Sequence, residues 1–128
     1  MTSSHRIVLL AHGSSDKRWR ETFEQLAAPT LQAFAGSRIA YMELASPSLE
    51  ETIAEGLTEN IIEYTVVPLF LAAGRHLRKD VPAMIKGLEQ DHGVKIHLAP
   101  PIGENPLLGQ AIKGAIALQL DQAMNPAP

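Results

Sequence analysis

Residues 64–82 read YTVVPLFLAAGRHLRKDVP, and the reading of this stretch decides the fold. From Tyr64 to Phe70 it is dense in Val, Leu and Phe, the composition of a strand buried on both faces of a parallel sheet. The chain then breaks at Ala72, Ala73 and Gly74, releases His76, and passes through Arg78, Lys79 and Asp80 towards a helix. A titratable residue delivered where a buried strand ends is where open α/β sheets place their chemistry. One conflict stands inside the run. Pro68 has no N–H for a ladder, so pairing is expected to thin out near it.

Upstream, Ile7 to Ala11 is a continuous apolar run of strand length ending in His12-Gly13-Ser14-Ser15. Asp16 can begin a helix in which Trp19, Phe23, Leu26, Ala27 and Phe34 recur at near-helical spacing, with Gly36 as its stop. Pro29 falls inside, which predicts a kink or a split. Arg38 to Leu44 is a second strand and delivers Glu43. Ser46 as N-cap and Pro47 as first helical residue then open a short helix carrying Leu49, Ile53 and Leu57.

Downstream, Asp80 at the N-cap and Pro82 just after it predict a helix with Met84, Ile85 and Leu88, stopped by Gly93. Val94 to Leu98 alternates in character and reads as a less buried edge strand. Asn105-Pro106 starts a last helix with Leu108, Ile112, Ala115 and Leu118, apolar over much of its circumference.

The order is therefore β-α-β-α-β-α-β-α with short links. It predicts an α/β fold: a single three-layer domain over residues 1–128, with a mainly parallel four-stranded sheet of flavodoxin-like appearance and right-handed crossovers. Residues 1–5 and 123–128 are expected to be flexible ends. In a parallel sheet all strands point the same way, so His12, Glu43 and His76, each at or beyond the end of a different strand, are expected on one rim.

Composition narrows the function. The 128 residues carry a formal charge of −3, and no nucleic-acid partner is expected of such a chain. With no cysteine, disulfides and thiolate metal sites are excluded. No apolar run approaches ~18 residues, and the first ten residues are too short, and too polar at Thr2 to Arg6, to read as a signal peptide, so no membrane role and a cytoplasmic location are expected.

Two imidazoles can hold a borderline divalent metal, with a carboxylate completing or supporting the set and positions left open for a substrate atom. Imidazole is also suited to accept protons near neutral pH. Arg75, Arg78 and Lys79 place three cations within five residues of an acidic chain. They read either as a solvated helix entrance or as a rim for a polycarboxylate ligand. The signatures of a dinucleotide fold and of an α/β-hydrolase are absent.

LLAHGSS at 9–15, MELASPSLEE at 42–51, VVPLFLAAGRHLRKDVP at 66–82 and PPIGENPLL at 100–108 resemble the short, CbiX-type sirohydrochlorin chelatases of the class II chelatase family. The resemblance runs in order from residue 6 to residue 120. It implies a chelatase-like fold and insertion of a divalent metal into sirohydrochlorin, an anionic tetrapyrrole. By the same analogy His12 and His76 bind the metal, His12 accepts pyrrole protons, and Glu43 is the acidic residue near the metal. Ser46, Leu71, Ala72, Ala73, Gly74, Arg75 and His76 fall on substrate-contacting positions. Co2+ is the metal the resemblance suggests first, with Ni2+ and Fe2+ as the others and no further cofactor. Small backbone at Gly13 and Gly74 would admit a flat ring. Longer family members carry two such domains in one chain, so a homodimer is expected. A non-catalytic metal or tetrapyrrole carrier using the same rim is the alternative function.

Overall fold

The computed structural model describes residues 4–72 and 74–124, with the backbone but not the side chain of His76. Its elements in chain order are β1 (His5–Ala11), α1 (Lys17–Ala33), β2 (Arg38–Tyr41), α2 (Leu49–Thr58), β3 (Glu63–Pro68), α3 (Arg75–His92), β4 (Lys95–Leu98), a 3-10 turn (Ile102–Glu104) and α4 (Pro106–Met124). The strands form one parallel sheet in the order β2-β1-β3-β4, with Val8 opposite both Arg38 and Val66, and Tyr64 opposite Ile96.

That order fixes where the helices go. The step from β1 to β2 runs one way and the later steps run the other, so right-handed crossovers put α1 on one face and α2 and α3 on the opposite face. The side chains agree. Val8, Leu10, Tyr64, Val66 and Ile96 pack with Leu49, Ile53, Val81, Ile85 and Leu88. Leu9, Ala11 and Tyr41 point the other way and pack with Phe23 and Ala27 of α1.

Tyr64 anchors the first of these cores. It is fully buried, and its hydroxyl donates to the carbonyls of Ile61 at 3.0 Å and Ile53 at 3.2 Å. Burial raises the phenol's pKa above its ordinary value, so the hydroxyl remains a donor. Tyr64→Phe is expected to lower stability by about 1–2 kcal/mol, because two buried carbonyls lose their donor. Urea unfolding at constant m-value measures it, and an unchanged midpoint would refute this role.

Several expectations change in the folded chain. Helix α1 runs unbroken through Pro29, so there is no split. Its buried stripe is narrow, holding Phe23 and Ala27, whereas Leu26 and Phe34 are exposed. Helix α2 is capped by Ser48, not by Ser46. The Ser48 hydroxyl accepts from the Glu51 amide while the Glu51 carboxylate accepts from the Ser48 amide, a capping box that satisfies two orphan donors together.

Helix α3 begins at Arg75 with Gly74 as N-cap, so Asp80 lies inside it and Pro82 falls in its interior. Packing outweighs the proline here: Val81 lies on the buried stripe with Ile85 and Leu88 and must already be helical. Strand β3 ends at Pro68, where pairing was expected to thin, but it is not buried on both faces. Tyr64, Val66 and Pro68 are buried, while Glu63, Thr65 and Val67 are half-buried, because no described helix is laid over their side of β3 and β4. Gly93 stops α3 in the left-handed region at φ +63°, and β4 is an edge strand, both as expected. No described helix is long and apolar enough to cross a membrane.

Candidate functional site

The segments after β1 and β2 leave the sheet side by side. The Met42 amide donates to the Ala11 carbonyl at 2.9 Å and the Glu43 amide to the His12 carbonyl at 3.1 Å, which extends the pairing past the last strand residues. Gly13 makes this closure possible. Its φ is +99°, and a Cβ there would run into the Glu43 carbonyl. The glycine thus serves the approach of two backbone segments. Gly74 has open space around it. Leu44, next after Glu43, sits at φ +62°, a left-handed conformation that costs a non-glycine residue about 1–2 kcal/mol.

His12, Met42, Glu43, Leu77 and Asp80 line a cleft of about 250 Å3 at this rim. His12 is exposed, but its ring rests on Phe70, with centroids 4.2 Å apart and planes 35° apart. Phe70 is only 3% exposed, so the imidazole lies against a fixed surface. Phe70→Leu is expected to keep the fold while lowering turnover several-fold, since a smaller side chain would no longer orient the ring. Steady-state kinetics with circular dichroism would show it, and unchanged turnover would rule this positioning role out.

The other expected residues distribute as follows. Residue 76 lies in the first turn of α3, directly after the loop that leaves β3, and its side chain falls outside the described residues, as Ala73 does entirely. Ser46 is exposed and joined to Pro47 by a cis peptide in the loop before α2. Leu71 and Ala72 are exposed, and so are Gly74 and Arg75 at the start of α3. Arg75, Arg78 and Lys79 are exposed and make no ion pair among the described residues. Arg78 also lines an apolar groove of about 270 Å3 with Phe70, Val81, Pro82, Leu98 and Pro100.

Asp80 is the member that sequence reasoning placed in a different role. Read as an N-cap it would have ended up at the mouth of the helix; inside α3 it faces the cleft with His12 and Glu43. Its spacing carried the signal, because residue 80 is one helical turn beyond residue 76 once the helix starts at Arg75. Among the described residues no three His, Asp or Glu side chains converge closely enough to cage an ion. Imidazole and two carboxylates around an open cleft can accept protons and offer a divalent cation few, exchangeable ligands.

A family model, CbiX, matches residues 6–117. The chain belongs to the CbiX family. Among relatives of this CbiX chain, the sirohydrochlorin cobaltochelatase of Sulfurisphaera tokodaii is 33% identical over 107 residues, covering 84% of this chain and 87% of that protein. A solved CbiX-type protein of Marinobacter aquaeolei VT8, assigned to cobalamin (vitamin B12) biosynthesis, superposes with a TM-score of 0.91 at 58% identity, covering 92% of this chain and 98% of the other. The sirohydrochlorin chelatase SirB of Bacillus subtilis subspecies spizizenii, solved with cobalt, shares the fold. Its TM-score is 0.77 at 21% identity, and the match covers 88% of this chain but 50% of the SirB chain.

Proposed function

We propose that this chain is a sirohydrochlorin chelatase that inserts a divalent metal, Co2+ before Ni2+ or Fe2+, into the macrocycle in the cytoplasm. The observation that carries the reading is the rim cleft where His12, Glu43 and Asp80 meet, in a CbiX-family chain related to a protein named sirohydrochlorin cobaltochelatase. The metal is a substrate in this reaction, and no further cofactor takes part.

The chemistry sets what the residues must do. As M2+ enters the ring, two pyrrole N–H protons must leave, so charge and protons balance only if a base stands at the point of entry. His12 takes that role, held on Phe70, and binds the incoming metal with His76. Glu43 and Asp80 supply negative charge that favours a dication and gives protons a route towards solvent. So few protein ligands release the metal readily once ring nitrogens replace them. Carboxylates around the macrocycle pair with Arg75, Arg78 and Lys79, the Arg forks by two-pronged hydrogen bonds. Ser46 and the loop from Leu71 to Gly74 bear on the ring's edge.

A tetrapyrrole is wide for the rim of one such domain. The match to half of the SirB chain supports a two-copy assembly, in which a second copy supplies the opposite wall.

Purified protein with sirohydrochlorin and Co2+ is expected to shift the ring's absorption faster than the spontaneous reaction does. Equal rates with and without protein, together with tight ring binding, would leave only the carrier function.

A further inference from the structure

Of the four motifs in the sequence, PPIGENPLL at 100–108 is the one that lends no residue to the cleft. It follows β4 and folds into the 3-10 turn Ile102–Glu104, in which no residue is buried. Burial of apolar surface is therefore not what this segment supplies. What it has is stiffness. Pro100 and Pro101 fix φ ahead of the turn. The Glu104 and Asn105 amides donate to the carbonyls of Pro101 and Ile102, each at 3.0 Å. Asn105 then caps α4, its side chain accepting from the Leu107 amide at 2.9 Å. The turn is also tied to the sheet, because the Ala99 amide just before it donates to the Val66 carbonyl at 2.9 Å.

This rigid turn bears on the loop behind the cleft. The Gly103 amide donates to the Phe70 carbonyl at 3.0 Å. Gly103 lies so close to Leu71 that an added Cβ would run into the Leu71 carbonyl, so only glycine lets the two backbones approach in this way. The loop has little else to hold it. The Leu69 amide still donates to the Leu10 carbonyl at 2.8 Å, but among the described residues the Gly103 bond is the one backbone hydrogen bond made by residues 70–72. Leu71 is 75% exposed, and Ala72 and Gly74 are exposed, so burial does not fix them. A segment with so few buried contacts keeps one conformation only where a neighbour pins it.

Phe70 carries that contact to the imidazole. Its ring packs with Val81 and Ile85 of α3 and lies against His12, with the centroids 4.2 Å apart. A side chain's direction follows from its backbone dihedrals and its rotamer. Holding the Phe70 carbonyl and the Leu71 peptide therefore holds the tilt of the ring on which His12 rests.

We propose that Gly103 is a positioning residue for metal insertion: its bare backbone latches the Phe70–Leu71 peptide and so keeps the Phe70 ring under the His12 imidazole. This role rests on the chelatase reading above and on His12 as the base. It assigns to the segment after β4 a part in the chemistry that its distance from the cleft conceals.

Gly103→Ala, Phe70→Leu and the double variant are to be compared with wild type in two measurements. One is steady-state insertion of Co2+ into sirohydrochlorin. The other is proton NMR of the His12 ring, whose resonances are those missing from His12→Ala among the five histidines. In wild type the ring current of Phe70 displaces them from the position of a freely exposed histidine. Gly103→Ala is expected to lower kcat about tenfold with KM changed by no more than about twofold, and to move the His12 resonances towards the exposed position, as Phe70→Leu does. The double variant is expected to lose no more than the worse single variant, since both changes act through one ring. Wild-type kcat in Gly103→Ala, unmoved His12 resonances, or a double loss equal to the product of the single losses overturns the proposal. Pro101→Gly, which loosens the turn without adding an atom, carries the test if Gly103→Ala does not fold. Lowered kcat with moved resonances then upholds the latch, and wild-type values of both overturn it. A wild type that leaves the spontaneous insertion rate unchanged sinks the chelatase reading instead, and the His12 resonances alone then decide whether the latch sets the ring.

Discussion

His12→Ala is expected to lower the rate of metal insertion by about 10²–10⁴-fold, the range a positioned base contributes. Its fold should survive, because His12 is exposed and its main structural contact is the face of Phe70. His76→Ala is expected to fall in the same range, since it removes the proposed second metal ligand. The decisive measurement is the absorbance change of sirohydrochlorin with Co2+, normalised to the spontaneous rate, beside circular dichroism. Full activity in either variant would sink the site assignment. Asp80→Asn supplies a graded control. It keeps the size of the side chain and removes its charge, so a loss of about tenfold is expected, smaller than that of the histidine variants. If Asp80→Asn equals wild type, the second carboxylate has no part in the reaction.

Gly13→Ala is expected to have the largest effect on fold and site together. The residue adopts φ +99°, which costs an L side chain about 1–3 kcal/mol. The added methyl would also meet the Glu43 carbonyl, a backbone atom that cannot swing aside as a side chain can. Relief requires separating the segments after β1 and β2, and so breaking the hydrogen bond from the Glu43 amide to the His12 carbonyl. The two costs sum to about 3 kcal/mol or more, and they fall on the rim that lines the cleft. Urea unfolding and the insertion assay on one preparation separate stability from activity. A Gly13→Ala protein matching wild type in both would show that the two segments can part freely.

Much of the fold was legible because the sheet is parallel. Buried parallel strands write themselves as short apolar runs, and Ile7–Ala11 and Tyr64–Val67 stand out without alignment. The rim followed from strand direction, which is why His12 and Glu43 could be put together across 30 intervening positions. Helix starts were less legible, for a physical reason. Ser46-Pro47 and Asp80 both look like caps, but a cap is decided by which amide the side chain reaches. Ser48 wins because Glu51 returns the bond, and Gly74 wins because Val81 has to be buried helix. The second of these moved Asp80 from a helix mouth into the cleft. Leu26 and Phe34 show the same limit in α1: they fit the helical period yet lie exposed, because a period says nothing of how wide a stripe the neighbouring strands cover.

By itself the sequence determined the order of elements, their parallel arrangement and the family motifs, since each of these rests on local composition and chain direction. Tertiary structure decided the rest. It set the approach of Glu43 to His12 across Gly13, the support of the imidazole by Phe70, and the entry of Asp80 into the cleft. It also decided that α4, which the sequence marks as apolar over much of its circumference, buries none of its residues. All of these depend on distances between segments far apart in the chain, and packing sets such distances where local pattern cannot.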